Sequence, residues 1–384
     1  MKKLKIIVAP NSFKGSMNAL VAANAIEKGL ITANPDFDIV KAPIADGGDH
    51  FADIMVHALE GDMLNVQVQN PLNEEIEAKY GITKDGKTAI IEMAKASGLA
   101  LIENKKLDAL NASSFGTGQL IKDAIERGCK EIILGIGGSA TTDAGAGILS
   151  ALGFRFFDNK NKSFVPTGGT LKEIVTIDDS NLLSGLEDCQ ILIACDVENP
   201  FLGEQGAARV FAPQKGASEQ EVIELENNLN HFAKIVFQKT EKNISDLPHG
   251  GAAGGISAGL YALINAELIN GTDLVLNQLG VLDELNNSDF VITAEGKLDF
   301  QTLEGKGPYG LALKAKAANN IVIAIGGSIP ENELNRFEAF DALFALPDSP
   351  MSLEKAMNEG DRLLENLSFQ IGKLITTLKT QFSL

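Results

Sequence analysis

The chain is 384 residues long, 45% hydrophobic and 22% charged. That is the usage of a globular protein with room for two ordinary domains, and it excludes wholesale disorder. The 33 Lys and Arg against 51 Asp and Glu leave a formal net charge of −18, a field that repels DNA and anionic membranes, so neither is an expected partner and an anionic small substrate must be held locally by backbone amides, a few cations or a metal ion.

Leu4–Pro10 reads as a strand, and the apolar run Ile6 to Pro10 behind Met1-Lys2-Lys3 is too short for a signal peptide. Asn18–Ile31 reads as a helix and Asp38–Ala45 as a second strand. A helix follows from about His50 to Glu60, where Phe51, Ile54, Met55, Ala58 and Leu59 make one apolar stripe. Then the rhythm changes. Asn65–Gln69, Glu75–Gly81 and Thr88–Met93 are strand-like runs separated by turn signals, which suggests an antiparallel meander. Gly118–Arg127 is predicted helical, Glu131–Gly135 a buried strand, Gly145–Leu152 a helix and Gln190–Cys195 a strand. Ser218–Lys239 reads as a long helix opening on a Ser218-to-Glu221 capping box. The tail returns to the first texture: strand Phe290–Ala294, helix 308–318, strands Ile321–Ile325 and Asp341–Leu346. A last amphipathic helix carries Leu363, Leu367, Ile371, Leu374 and Leu378.

The first and last thirds share one texture and the middle has another. Residues 1–65 with 286–384 are expected to form a doubly wound, Rossmann- or flavodoxin-like α/β domain with a mostly parallel sheet. Residues 66–285 are expected to be a second α/β domain inserted into it, with the active site in the interdomain cleft. The weakly charged run Ile132–Phe154 contains Asp143, Ser139, Thr141, Thr142 and several glycines, a poor membrane span. Cys129, Cys189 and Cys195 form no CxxC, which reads as reduced thiols in a cytoplasmic protein.

The densest chemical signal is Gly135-Ile136-Gly137-Gly138-Ser139-Ala140, between a strand and a helix, where backbone N–H groups can converge on an anion. Without a ligand it is an ordinary tight turn. It also satisfies GxGxxA, with Asp158 near the distance of a ribose-binding acid, although it lies mid-chain. Acids stand beside further glycine turns: Asp46-Gly47-Gly48, Asp196 at a strand end, Gly250–Gly255, Glu295-Gly296 and Asp299. Carboxylates with anion-cradling glycines are the parts of Mg²⁺-assisted phosphoryl transfer. Lys14, Lys215, Lys297 and Lys306 are the local cations, and no Walker loop is present. His50, Asp53 and His57 share a helical stripe better read as a solvated face than a metal site, and Cys195 is better read as a buried thiol than a nucleophile. The leucine stripe of the last helix suits docking on its own core, with a homodimer seam as the other use.

In order along the chain come Asn11-Ser-Phe-Lys-Gly-Ser16, Ala45-Asp-Gly-Gly48, Ser113-Ser-Phe-Gly-Thr-Gly118, Gly135-Ile-Gly-Gly-Ser-Ala-Thr141 with Asp143-Ala-Gly-Ala-Gly147, Ala194-Cys-Asp-Val197 with Asn199-Pro200, Phe211-Ala-Pro-Gln-Lys-Gly-Ala217, Gly251-Ala-Ala-Gly-Gly255, Glu295-Gly296, and Asp299 with Gln301-Thr302. This series resembles the bacterial glycerate kinase family of the first class, from residue 11 to about 328. The resemblance implies a doubly wound α/β domain with an inserted one. It also implies phosphorylation of D-glycerate by ATP with Mg²⁺, on the 2-hydroxyl to give 2-phosphoglycerate, the 3-hydroxyl being the other choice. Asn11, Asp49, Thr142, Ala294 and Lys297 stand where the family pattern has Asp, Glu, Asn, Gly and Arg.

On this reading Asp196 accepts the proton of the substrate hydroxyl, and Asp46 and Asp299 are candidate Mg²⁺ ligands, Asp46 being also a candidate catalytic acid. The amides of Gly137, Gly138 and Ser139 cradle phosphates, and Lys14 offsets the charge of the phosphoryl group or substrate carboxylate. Ser12, Gly254, Glu295 and Asp299 complete the expected substrate- and phosphate-binding set. The rival readings are an NAD(P)-dependent oxidoreductase using Gly135–Ala140 and a non-catalytic nucleotide-binding protein.

Overall fold

In a computed structural model, residues 3–44, 51–102, 106–299, 302–304, 307–330 and 334–382 are described. Asp46 and its flanking glycines, Asp49, His50 and Lys306 lie outside them. The strands are β1 (Lys5–Pro10), β2 (Asp38–Lys41), β3 (Asp62–Gln69), β4 (Glu75–Ile82), β5 (Thr88–Glu92), β6 (Glu131–Gly135), β7 (Arg155–Phe157), β8 (Ser163–Phe164), β9 (Thr176–Asp178), β10 (Gln190–Ala194), β11 (Glu267–Ile269), β12 (Phe290–Glu295), β13 (Ile321–Gly326) and β14 (Ala342–Ala345). The chain divides into two compact units, Met1–Asp46 with Thr272–Leu384, and Gly47–Gly271.

The first unit is built on a five-stranded sheet of order β14-β13-β12-β1-β2, parallel throughout. Successive side chains of a strand point to opposite faces, and β1 is apolar on both. Ile6 and Val8 join Leu30, Leu363 and Ile371 on one face. Ile7 and Ala9 join Leu276, Leu311 and Ala312 on the other. Helices therefore cover both sides, as in a doubly wound fold. Chain order reverses between β1 and β12, so their carboxyl ends flank the switch point where such sheets bind ligands. The last helix, Gly360–Phe382, buries Leu363, Leu364, Ile371 and Ile375 in its own unit's core, whereas Leu374 is 51% exposed. The buried stripe is thus rotated slightly from the predicted one.

The second unit holds a six-stranded sheet, β11-β10-β6-β5-β4-β3. It is parallel across β5, β6, β10 and β11 and antiparallel from β5 to β3. The helix Glu219–Thr240 opens with the predicted capping box, Ser218 and Glu221 satisfying each other's N–H groups. A small antiparallel sheet, β8-β7-β9, was not foreseen, because strands of two or three residues carry almost no periodicity. The units divide at 46/47 and 271/272 rather than at the expected 65 and 286. At the first boundary helix Phe51–Ala58 packs on β4 and β5, within the second unit, and at the second Leu276, Val281 and Leu285 join the core of the first unit. Among the described residues no helix is long and apolar enough to cross a membrane.

Candidate active site

Parallel strands deliver their carboxyl ends to one edge, and the second unit uses this to gather polar loops. Glu92, Gly135, Ala194 and Ile269 align in register across β5, β6, β10 and β11. Beyond β6 the chain turns through Gly137, Gly138 and Ser139. Gly138 is exposed with φ +69°, a left-handed conformation that glycine adopts without steric cost. The turn is pinned on one flank: Leu99 N–H donates to the Gly138 carbonyl at 2.9 Å and Ala140 N–H to the Ser97 carbonyl at 3.0 Å. Among the described residues, no acceptor takes the N–H of Gly137, Gly138 or Ser139. Unspent amides on an exposed glycine turn are what an anion requires.

Beneath the turn lies a polar interior. Lys215, only 2% exposed, donates from Nζ to Ser139 Oγ at 3.0 Å and to the Thr141 carbonyl at 2.5 Å. Burial pulls its amine down to about 7, against which the negative charge of Asp143 acts. Asp143 is fully buried; it accepts from Ser114 N–H (2.8 Å), Ser114 Oγ (2.7 Å), Gly145 N–H (3.2 Å) and Gly147 N–H (3.3 Å). Burial pushes its carboxyl up, while those hydrogen bonds favour the charged form. The Thr141 and Thr142 hydroxyls are buried with no hydrogen-bond partner among the described residues. Ala253, Gly254 and Gly255 interrupt the helix Ala252–Ile264 in left-handed conformation. A Cβ on Gly254 would stand 2.1 Å from the Thr141 carbonyl oxygen. Gly254 thus packs behind the turn, buried, rather than in its mouth.

Asp196, two residues beyond β10, accepts a 2.7 Å hydrogen bond from Gly271 N–H. Its backbone is held closely: Cys195 N–H donates to the Ile269 carbonyl and Gly251 N–H to the Asn199 carbonyl, both at 2.9 Å. Nδ1 of His249 lies 2.7 Å from the Val197 carbonyl and so must carry the proton there. Glu92, 1% exposed at the end of β5, accepts from Ala52 N–H at 2.7 Å and pairs with Lys95 at 3.2 Å. Burial raises its carboxyl.

In the first unit, Ser12 and Lys14 follow β1, are exposed, and lie beside the loop that leaves β12. A Cβ on Gly296 would come within 3.3 Å of Lys14 N. Thr302 Oγ1 ties two acids of this loop, donating to Glu295 Oε1 at 2.6 Å and accepting from Asp299 N–H at 3.1 Å. Lys297 Nζ pairs with Asp299 Oδ2 at 3.1 Å. Ser12, Lys14, Glu295 and Asp299 therefore share the carboxyl edge of the first sheet, while Gly137, Gly138, Ser139 and Asp196 share that of the second.

Sequence reasoning named Lys215 as a cation but missed that it is buried, and it overlooked Glu92 and the anchoring role of Asp143. One signal was available: Asp143 is the one charged residue between Glu131 and Arg155. The ribose acid of the dinucleotide reading is displaced. Asp158 lies in the hairpin turn of the small sheet, accepting from Lys160 N–H at 2.8 Å and Lys162 N–H at 2.9 Å. Asp53 of the predicted solvated face pairs with Lys79 at 3.3 Å.

The sequence pattern of the glycerate kinase family matches residues 6–376. The chain belongs to the glycerate kinase family. It is 45% identical to a glycerate kinase of Halalkalibacterium halodurans, covering 95% of this chain and 97% of the relative. Identity to the glycerate 2-kinase of Escherichia coli is 43%, over 92% and 93% of the two chains. A crystal structure from Salmonella typhimurium LT2, ascribed to a glycerate kinase 2, superimposes with a TM-score of 0.89 at 38% identity, over 99% of this chain and all of the other.

Proposed function

We propose that this member of the glycerate kinase family transfers the γ-phosphoryl group of ATP to D-glycerate, at the 2-hydroxyl. The observation that carries the reading is the glycine turn beyond β6, its three amides unspent, with Asp196 at the end of the adjacent strand. The turn suits phosphate oxygens, and a carboxylate on a fixed backbone suits a hydroxyl proton. The choice of the 2-hydroxyl rests on the name of the Escherichia coli relative.

In the proposed reaction the amides of Gly137, Gly138 and Ser139 hold phosphate oxygens. Asp196 takes the proton of the attacking hydroxyl, and Lys14 offsets negative charge on the phosphoryl group or the substrate carboxylate. Glu295 and Asp299 are hard oxygen donors fixed by one threonine, a donor set that fits Mg²⁺. Mg²⁺ is commonly bound through one or two carboxylates together with the substrate's own phosphates, so these two acids would suffice. When bound, Mg²⁺ supplies charge neutralisation at the transferring group. Asp46, outside the described residues, is a further candidate ligand. A cytoplasmic setting agrees with three cysteines that are all free.

The test is direct. Purified protein with D-glycerate, ATP and Mg²⁺ should release ADP, and phosphorus NMR should identify 2-phosphoglycerate. A 3-phosphoglycerate product would overturn the regiochemistry alone. Absence of ADP release, set beside tight NADH binding by fluorescence, would return the oxidoreductase reading.

A further inference from the structure

We infer that Lys215, in its charged form, is a positioning residue for the phosphate-holding turn, locking Gly137-Gly138-Ser139 from beneath through Ser139 Oγ and the Thr141 carbonyl. The inference rests on the kinase reading and adds a residue to it. A lysine with 2% exposure is unusual, since burial takes its ammonium out of water and the surroundings must compensate. Here the compensation is specific. Nζ makes two hydrogen bonds, to Ser139 within the turn and to Thr141 two residues on. Lys215 itself is immobilised. It ends the short 3₁₀ turn Pro213–Lys215, and its N–H donates to the Ala212 carbonyl at 3.0 Å. Gly216 follows at φ +93°, where a Cβ would stand 2.7 Å from Leu107 Cβ.

The segment it grips is fixed from three directions. Ser97 and Leu99 hold the turn's flank, and Gly254 packs on Thr141. Asp143, held by four hydrogen bonds, closes the far end. Asp143 is also the charged group whose field Lys215 feels. Two unpartnered threonine hydroxyls, with a buried cation packed against the same short segment, would be a poor way to stabilise a core. They make sense if the purpose is a turn whose amides stay outward and in place, with a positive charge behind them. Lys215 touches no reacting atom on this account. It acts through the backbone it holds.

A structural residue and a positioning residue separate in kinetics. Lost folded enzyme lowers apparent kcat and leaves KM unchanged, whereas a slackened anion turn raises KM for the phosphate-bearing substrate. Lys215→Met keeps the length and removes the charge and both donors; it should raise KM for ATP about tenfold, with kcat changed less than about threefold. Wild-type kcat/KM for ATP should fall as pH rises through about 7, because the charged amine is present below that value and lost above it. That limb should be absent in Lys215→Met. Should the methionine variant fail to fold, Ser139→Ala removes one anchor and leaves the lysine; it should raise KM for ATP while the melting temperature stays near wild type. Wild-type KM in the variant that folds, or an alkaline limb that survives in Lys215→Met, overturns the inference. Wild-type protein that makes no ADP overturns the kinase reading instead. Calorimetric titration of ATP into wild type and Lys215→Met then decides on the turn separately, and equal affinities would sink it.

Discussion

A carboxylate at the end of a parallel strand serves as a base only if its backbone is fixed, and Asp196 meets that condition. Gly271 N–H holds one of its oxygens, and His249 and Gly251 hold the carbonyls of Val197 and Asn199 just beyond it. Asp196→Asn preserves an oxygen that can accept from Gly271 and removes the capacity to take a proton. Its kcat should therefore fall by about 10²-fold or more with KM for ATP nearly unchanged. Steady-state kinetics check this, and an undiminished kcat would remove Asp196 from the chemistry. Glycine turns and strand-end acids were legible at this scale because their residue types are tied to backbone conformation and charge. The burial of Lys215 was not. A lysine between Gln214 and Gly216 looks the same in sequence whether it faces water or the interior. Only the fold brings Ser139 and Thr141 to its amine.

Elements were read well where burial dictates composition. Strands β1, β6, β10, β12 and β13 are runs of Ile, Val, Leu and Ala because both of their faces are covered. Contacts between elements were less legible, since they depend on glycines whose partners lie far along the chain. Helix Ala19–Ala33 meets helix Gly360–Phe382 at Gly29, where a Cβ would stand 2.3 Å from the Glu365 carbonyl oxygen and 2.8 Å from Phe369 N. A Cβ on Gly372 would likewise stand 2.7 Å from Ala33 Cβ. Two effects oppose each other in Gly29→Ala. Alanine improves helix propensity by about 1 kcal/mol, and overpacking costs about 1–3 kcal/mol. The crowded atoms are backbone and cannot rotate aside, so the cost prevails. Thermal unfolding should show a melting temperature lower by a few degrees, roughly 2–4 °C per kcal/mol. A raised melting temperature would mean that the helices part freely at this crossing.

For the whole molecule, the sequence conveyed an α/β chain in two units but placed the changeover too late. Helix Phe51–Ala58 has the same apolar stripe whichever sheet it covers, so its texture could not assign it to β4 and β5. Charge is the property that composition states outright. On the proposed reaction, a protein of net −18 must bind two anions, ATP and glycerate, against its own field. Lys14, Lys215 and the amides of the glycine turn act over a few ångströms, whereas the acidic excess acts over the Debye length, about 30 Å at 0.01 M and 10 Å at 0.1 M salt. Added salt should therefore screen the long-range repulsion before it weakens the local contacts, most of all at the buried lysine. KM for ATP, measured at constant free Mg²⁺, should fall between about 0.01 and 0.1 M of an inert salt, with kcat unchanged. A KM that rises steadily over that interval would show that local attraction governs at every range. The acidic surface would then play no part in substrate capture.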